Sequence, residues 1–399
     1  MVSDLCLQCK GSRHLCGNKF CPLLKEKVIL KSLSIKNLME FQGSSPPSIF
    51  VGRHNYPNIS ISPLVSNKLG DLEDLENYAK LVKMDYSKII TGRLSLLRAN
   101  IGKFNVKKPG KLHYLIEDFA LAKKGIDTEV INKKVILKPE FSNFFQAMGP
   151  LLRTEKIIVT SNPTSNKKIE KVVNDELKAT EGVRMLYSKK VGISKIIKVF
   201  SVGMLGKSKK LVPTRWSITA VDDITSKHLI ERIKNYSLIN EYLVFEHYHL
   251  GNHYVILFFP EKFCFEQMEA WFEGSLWSKK TRIVSDYEFF NGRKNYAKNI
   301  TGGYYSGRLA VSEFLSKIKR QAGVIVFREI DNTYIYPLGV WQVRQNIRDA
   351  TKKTPMKFEE LNNALKYIKS KLNIDWDSWK EKSRILNFLT AQEKITKWF

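Results

Sequence analysis

The chain has 399 residues, 43% hydrophobic and 11% aromatic, enough for two domains around a packed core, which excludes a disordered or low-complexity protein. Lys and Arg number 66 against 39 Asp and Glu, and a formal net charge of +27 attracts polyanions and gains by releasing their counterions, as nucleic-acid binders do. No apolar run reaches the length of a membrane span, and Asp4 and four cysteines stand where a signal peptide needs apolar residues, so the reading is cytoplasmic, nucleoid-associated and without a membrane partner. A Lys-rich thermophile composition is the competing source of the charge, but such surfaces balance Lys with Glu, and this one does not.

The fold class expected is a mixed α/β core with an N-terminal zinc knuckle and a helical C-terminal extension. Residues 1–25 form the knuckle, 26–277 and 278–350 two α/β regions, 351–390 the helices and 391–399 a tail. Cys6, Cys9, Cys16 and Cys21 follow a C-x2-C-x6-C-x4-C spacing, and Gly11, Gly17 and Asn18 supply turns that aim thiolates at one tetrahedral ion. Structural Zn2+ fits this ligand set. An iron–sulfur cluster uses the same ligands, and two disulfides are the oxidising-compartment alternative. Cys264 between two phenylalanines reads as a buried thiol.

Further along, Gly43–His54 reads as a rigid loop leading into a short strand and then a turn, and Ile59–Pro63 as a second strand. Asp71 to about Met84, Ile89 to Ile101 (with Arg93 and Arg98) and residues 164–187 read as helices from apolar residues at helical spacing. The segment Val212–Asp223 reads as a strand followed by a turn and a short helix over Ser226–Tyr236. Tyr242–Phe245, Tyr254–Phe259 and Val324–Phe327 read as further strands. Gly302-Gly303-Tyr304-Tyr305 opens a helix through Leu315 and Ile318.

Several strings carry candidate chemistry. Arg53, Arg215, Arg308 and Arg344 offer forked, permanently charged groups for phosphate oxygens beside small or aromatic neighbours. Gly302 and Gly303 can lend backbone donors to an anion, and Tyr304, Tyr305 and Trp341 can stack on unpaired bases. The alternative is that these arginines pair inside the fold with Asp222, Asp223 or Glu329. Asp222 and Asp223 are the weak catalytic candidates, because adjacent carboxylates at a turn can help hold Mg2+ or Mn2+ for phosphodiester cleavage; capping the next helix is their other role. His247, His249 and His253 share a strand face, as metal ligands or as a solvated surface.

The strings Gly43-Ser44-Ser45-Pro46-Pro47, Val51-Gly52-Arg53, Val212–Asp223, Gly302–Tyr305, Arg308–Val311, Arg328-Glu329 and Pro337–Arg344 together resemble the archaeal Nre family of DNA-repair proteins, over nearly the whole chain. The resemblance implies repair of damaged DNA together with a sliding clamp, and it implies no catalytic mechanism. Gln345 stands where the family string ends in an acidic residue. The chain ends with Gln392, Ile395, Trp398 and Phe399 spaced like a PCNA-interacting (PIP) peptide, in which an aliphatic and aromatic plug fills an apolar pocket on the PCNA sliding clamp. A terminal helix folding its apolar residues back on the core is the alternative. A DNA-binding repair factor recruited by PCNA is therefore the leading expectation. A metal-dependent nuclease or phosphodiesterase on damaged or single-stranded DNA is the second.

Overall fold

Alternating and continuous apolar runs become two mixed β-sheets, each in its own compact unit. The structure, a computed structural model, describes residues 38–107, 113–137, 139–142, 144–273, 278 and 280–396. The cluster of Cys6, Cys9, Cys16 and Cys21, and Trp398 and Phe399, lie outside the described residues. Of those described, one unit comprises residues 38–225 with Tyr336–Trp341, the other Ser226–Ile335 with Gln342 onward.

The first unit contains β1 (Glu40–Ser45), β2 (Ile49–Val51), β3 (Asn58–Val65), β4 (Leu97–Asn100), β5 (Lys103–Asn105), β6 (Ile126–Ile136) and β7 (Leu151–Val159). They form a seven-stranded sheet in the order β1-β6-β7-β4-β3-β2, with β5 paired to β3. Only β4 and β7 run parallel. Leu38, Phe41, Val65, Leu97, Ala99, Val130 and Leu152 form the apolar cluster on one face. Around it stand α1 (Tyr78–Leu81), α2 (Tyr86–Leu94), α3 (His113–Leu121), α4 (Lys167–Asn174), α5 (Ala179–Ser188) and α6 (Ile193–Ser201), and the long α7 (Thr214–Ile233) begins here and crosses into the second unit.

The short strand expected within Gly43–His54 is present as β2 and the strand over Ile59–Pro63 lies within β3, while Gly43–Ser45, read as loop, ends β1. Three helix expectations change. The Asp71–Met84 stretch yields one 3-10 turn at Glu73–Leu75 and the single turn of α1. The helix from Ile89 stops at Leu94, and Arg98 sits in β4, its side chain bound to the Glu140 carboxylate and donating to the Gly149 carbonyl at 3.0 Å. Pairing of β4 between β3 and β7 overrides local helical spacing there. Residues 164–187 divide into α4 and α5 at Glu176, whose φ of 46° no helix accommodates.

The largest correction is α7. Residues 212–223, rich in β-branched side chains, read as a strand, but from Thr214 on they belong to a helix of 20 residues. Burial explains it: Ser217, Val221, Thr225 and Leu229, with Ile218, Asp222, Ser226 and Ile233, form one stripe at spacings of three and four. No turn follows Asp223 and no new helix starts at Ser226. Asp222 and Asp223 lie mid-helix, Asp222 fully buried and Asp223 partly so.

The second unit contains β8 (Tyr242–His249), β9 (Asn252–Phe259), β10 (Phe265–Trp271), β11 (Arg282–Glu288), β12 (Gly323–Ile330) and β13 (Met356–Phe358), in the order β11-β10-β12-β9-β8-β13. The continuous apolar runs of β9 and β12 place them at the centre, where both sheet faces are covered. Leu250 (φ 52°) and Gly251 (φ 69°) make the two-residue turn joining β8 to β9, and a Cβ on Gly251 would meet the Tyr334 nitrogen at 2.6 Å. The remaining helices are α8 (Gly302–Ile318), α9 (Trp341–Ala350), α10 (Leu361–Lys371), α11 (Trp376–Lys382) and α12 (Arg384–Thr396).

The C-terminal helices share one core with this sheet: Trp379, Ile385, Leu386 and Leu389 pack with Val255, Leu257 and Phe327. Two buried carboxylates from the sheet fix them. Glu266 accepts from the Arg384 and Ile385 backbone at 2.9 and 3.0 Å and so caps α12. Glu329 accepts from the backbone of Asn373 and Ile374, each at 2.8 Å, before α11. Gln392 and Ile395 fall in the last turns of α12. Among the described residues no helix is long and apolar enough to cross a membrane.

Candidate nucleic-acid interface

In the first unit, two strings far apart in sequence meet. The Val51 amide, at the end of β2, donates to the Thr214 hydroxyl at 2.9 Å across 163 residues and ties the β2–β3 turn to the first turn of α7. The Ser201 hydroxyl at the end of α6 donates to the Val212 carbonyl at 2.7 Å and braces the approach to that helix. The loop before it is fixed to β5 by the Leu211 amide and the Val106 carbonyl at 3.0 Å. The first turn of α7, the β2–β3 turn and β5 are thus held side by side.

This surface combines rings and cations. Tyr56 and Trp216 remain 53% and 44% exposed, and their ring centroids lie 5.1 Å apart. The Arg215 guanidinium lies 3.6 Å over the Phe144 ring, a contact that orients the fork without cancelling its charge. Arg53, His54, Lys103 and Lys107, with Lys207, Lys209 and Lys210 in the loop before α7, are exposed on or beside these segments. Residues 49–63, 97–107 and 203–221 contain no Asp or Glu. The positive N-terminal end of α7 adds to that field. Such a surface offers flat faces for bases and fixed positive charge for a phosphodiester backbone.

Behind it, on α6, Lys198 lies 3.0 Å from Glu76, and Arg93 binds the same carboxylate from α2. Burial by itself would raise Glu76, but Lys198 and Arg93 outweigh it and hold the carboxyl at about 2. Lys195, one turn earlier, donates to the Ala122 carbonyl at 2.5 Å, and burial, then Lys198, pushes it down to about 7. The triad locks α6 against α2, a buried ion network with its partners in place.

The other residues expected to meet DNA lie elsewhere. Arg308 is 2% exposed, bonds Glu288 at 2.9 Å and reaches the Ser226 hydroxyl at 3.2 Å. Tyr304 is fully buried against Phe265, and the Tyr305 hydroxyl accepts from the Ala297 amide at 3.0 Å. Arg344 is fully buried beside Ser306. Trp341, 2% exposed, stacks on Tyr78 with rings 13° apart and donates to the Leu338 carbonyl. The faces of these rings and forks are occupied by protein. Gly303 and Gly307 serve close packing of α8 on β10: a Cβ would come 3.0 Å from a Glu269 oxygen at Gly303 and 1.9 Å from a Gln267 oxygen at Gly307. A carboxylate beside Gly303 is the opposite of an anion site. Of the seven candidates, Arg53, exposed, and Arg215, half-buried, lie on the segments of the cationic surface.

The histidine face divides. His253 lies between Glu329 at 3.0 Å and Glu246 at 3.2 Å. His247 and His249 have ring centroids 6.1 Å apart, and burial, followed by the Lys353 charge, lowers His247 to about 4. Among the described residues no three His, Cys, Asp or Glu side chains are grouped to hold a metal ion. Tyr56, Trp216 and Phe144 escaped the sequence reading. For Tyr56 and Trp216 the signal available was a place close to His54 and Arg215 in stretches without Asp or Glu; nothing in the sequence marks Phe144.

These features define a mixed α/β protein of two sheet units that presents, on one of them, exposed rings and cations from segments without Asp or Glu. The chain belongs to the archaeal Nre family: residues 15–278 match the family's N-terminal part and residues 288–398 its C-terminal part. It is 36% identical over 386 residues to the DNA repair protein NreB of Archaeoglobus fulgidus, covering 96% of each chain. It is 38% identical over 371 residues to the DNA repair protein NreA of the same organism, covering 92% of this chain and 93% of that one. The DNA repair protein NreA of Haloferax volcanii is 29% identical over 361 residues, 86% of this chain and 85% of that one. No solved structure matches the chain.

Proposed function

We propose that the chain is a DNA-repair factor that holds DNA with unpaired bases on the surface of Arg53, Tyr56, Arg215 and Trp216. The observation that carries this reading is the joining of two acid-free strings, through Val51 and Thr214, into one exposed surface of rings and cations. The names of its relatives support the repair context. In the same reading, Gln392, Ile395, Trp398 and Phe399 dock on the PCNA sliding clamp, and Cys6, Cys9, Cys16 and Cys21 hold a structural Zn2+. Metal analysis of the purified chain then returns about one zinc per chain, and none would remove that part of the proposal.

Fluorescence anisotropy with single-stranded, flapped and duplex oligonucleotides across a salt series tests the DNA surface. Trp216→Ala, an exposed change, is expected to cost about 1–3 kcal/mol on single strands and less on duplex. Arg53→Ala and Arg215→Ala each reduce the salt slope by about one, because each removes one phosphate contact. If all three variants bind as the unaltered chain does, the surface is not the DNA site. The same panel with Mg2+ or Mn2+ tests the nuclease alternative, with Asp222→Asn abolishing any cleavage that depends on that carboxylate.

A further inference from the structure

Next to the cationic surface, the first unit contains a cavity of about 400 Å3 between α4, α5 and the loop that leads toward α7. Its walls are apolar where Val172, Leu177 and Leu205 face it, and its mouth carries Asn174, Glu176, Lys207 and Lys209. Gly182 on α5 packs closely on the Leu205 wall: a Cβ there would stand 3.2 Å from a Leu205 side-chain carbon. Gly206 (φ 91°) and Lys209 (φ 39°) fold the loop into a tight turn, closed by the Lys209 amide on the Gly206 carbonyl at 3.1 Å. That turn sets both lysines, exposed, at the rim.

We propose that this cavity takes a single nucleotide, with the base in the hollow and the phosphate on Lys207 and Lys209. The volume lies in the range of small-molecule sites, and the lining divides between apolar side chains and polar ones. A nucleobase has the flat apolar faces such walls fit, and Asn174 and Glu176 present an amide and a carboxylate suited to the donors and acceptors of its edge. Glu176 repels an anion placed beside it, so the phosphate is directed to the two lysines across the mouth. The same loop continues into Leu211, whose amide is bonded to β5 in the cationic surface. The nucleotide can therefore come from two sources, a free mononucleotide or a residue turned out of a bound strand. The site does not depend on the DNA reading, because its ligand is recognised one nucleotide at a time.

Calorimetric titration of the full chain with 2′-deoxyadenosine 5′-monophosphate and with deoxyadenosine tests the cavity. A strand source is read separately, from quenching of 2-aminopurine inside a single-stranded oligonucleotide. Saturable heat with the mononucleotide, about ten-fold weaker for the nucleoside, assigns a free ligand. Quenching without that heat assigns the strand nucleotide. In either case Leu177→Trp, which fills the hollow from its part-exposed edge, abolishes the signal, and Lys207→Ala with Lys209→Ala weakens it by about ten-fold. Neither heat nor quenching overturns the proposal, as does a signal that Leu177→Trp leaves intact. If Leu177→Trp fails to fold, the exposed lysine pair decides, and an unchanged signal in that variant overturns the site. Trp216→Ala separates the two readings: it weakens strand affinity if the DNA surface is right, while mononucleotide heat stays as it was.

Discussion

Arg215 and Arg308 stand in equally suggestive strings, each beside a small or aromatic neighbour, yet they end in opposite environments. Arg215, half-buried, rests on Phe144 from the first turn of α7, in a stretch of sequence without Asp or Glu, whereas Arg308 is enclosed with Glu288 and Ser226. The residue type was legible, since an arginine among glycines and tyrosines requires an anionic or π partner. Its depth was not, because the partner is a carboxylate 20 positions upstream on β11 whose side chain only the folded sheet brings there. Arg308→Ala leaves Glu288 buried and unpaired, and is expected to lower the unfolding free energy by about 3–5 kcal/mol. Urea denaturation followed by circular dichroism measures this, and anisotropy on the folded protein should find DNA affinity unchanged. A stable variant that has lost DNA binding would return Arg308 to the list of DNA contacts.

Elements with a single strong pattern were legible. β9 and β12 read as strands because continuous apolar runs of that length fit a sheet covered on both faces, and α8 read as a helix from Gly302 onward. α7 was not, because Ile218, Thr219, Val221, Ile224 and Thr225 favour strands locally, and only its stripe of buried positions reveals the helical period. Nor did the sequence show how the C-terminal helices are held. Glu329 binds the backbone ahead of α11 and also accepts from His253 at 3.0 Å. Burial opposes the charged imidazole, but Glu329 and then Glu246 outweigh it, so the folded pKa lies above the ordinary 6.5. A raised folded value means that the protonated ring stabilises the fold fully below the unfolded pKa. The contribution is lost as pH rises through the folded one. His253→Ala should therefore lower the thermal midpoint more near pH 6 than near pH 9, where the neutral ring contributes little. Equal losses at both, seen by differential scanning calorimetry, would show that packing and not charge is what His253 supplies.

For the whole molecule, +27 was legible as attraction to a polyanion, but not where that attraction is concentrated. Much of the arginine charge is neutralised inside the two units, by Glu76, Glu140, Glu269 and Glu288. Arg53, Lys103, Lys107, Lys207, Lys209 and Lys210 gather exposed charge beside the rings of one unit, while exposed lysines such as Lys262, Lys317 and Lys353 stand on the other. The C-terminal residues belong to the other, at the end of α12. The proposed DNA surface and the proposed clamp tail lie on separate elements, so their losses are expected to be independent, which gives the tail a clean test. Ile385, Leu386 and Leu389 anchor α12 in the sheet core upstream of Gln392. Trp398→Ala combined with Phe399→Ala removes the aromatic plug beyond that anchor and leaves the helix and its Glu266 cap in place. The double variant is expected to lose PCNA binding by more than ten-fold, as happens when aromatic anchors are removed from a pocket, while its melting temperature and its affinity for single-stranded DNA stay where they were. Surface plasmon resonance on immobilised clamp, with a melting curve and an anisotropy titration on the same preparation, reads all three. Retained clamp binding would refute the docking motif. A melting temperature that falls by several degrees would instead show that the two rings complete the core of the unit that α12 belongs to.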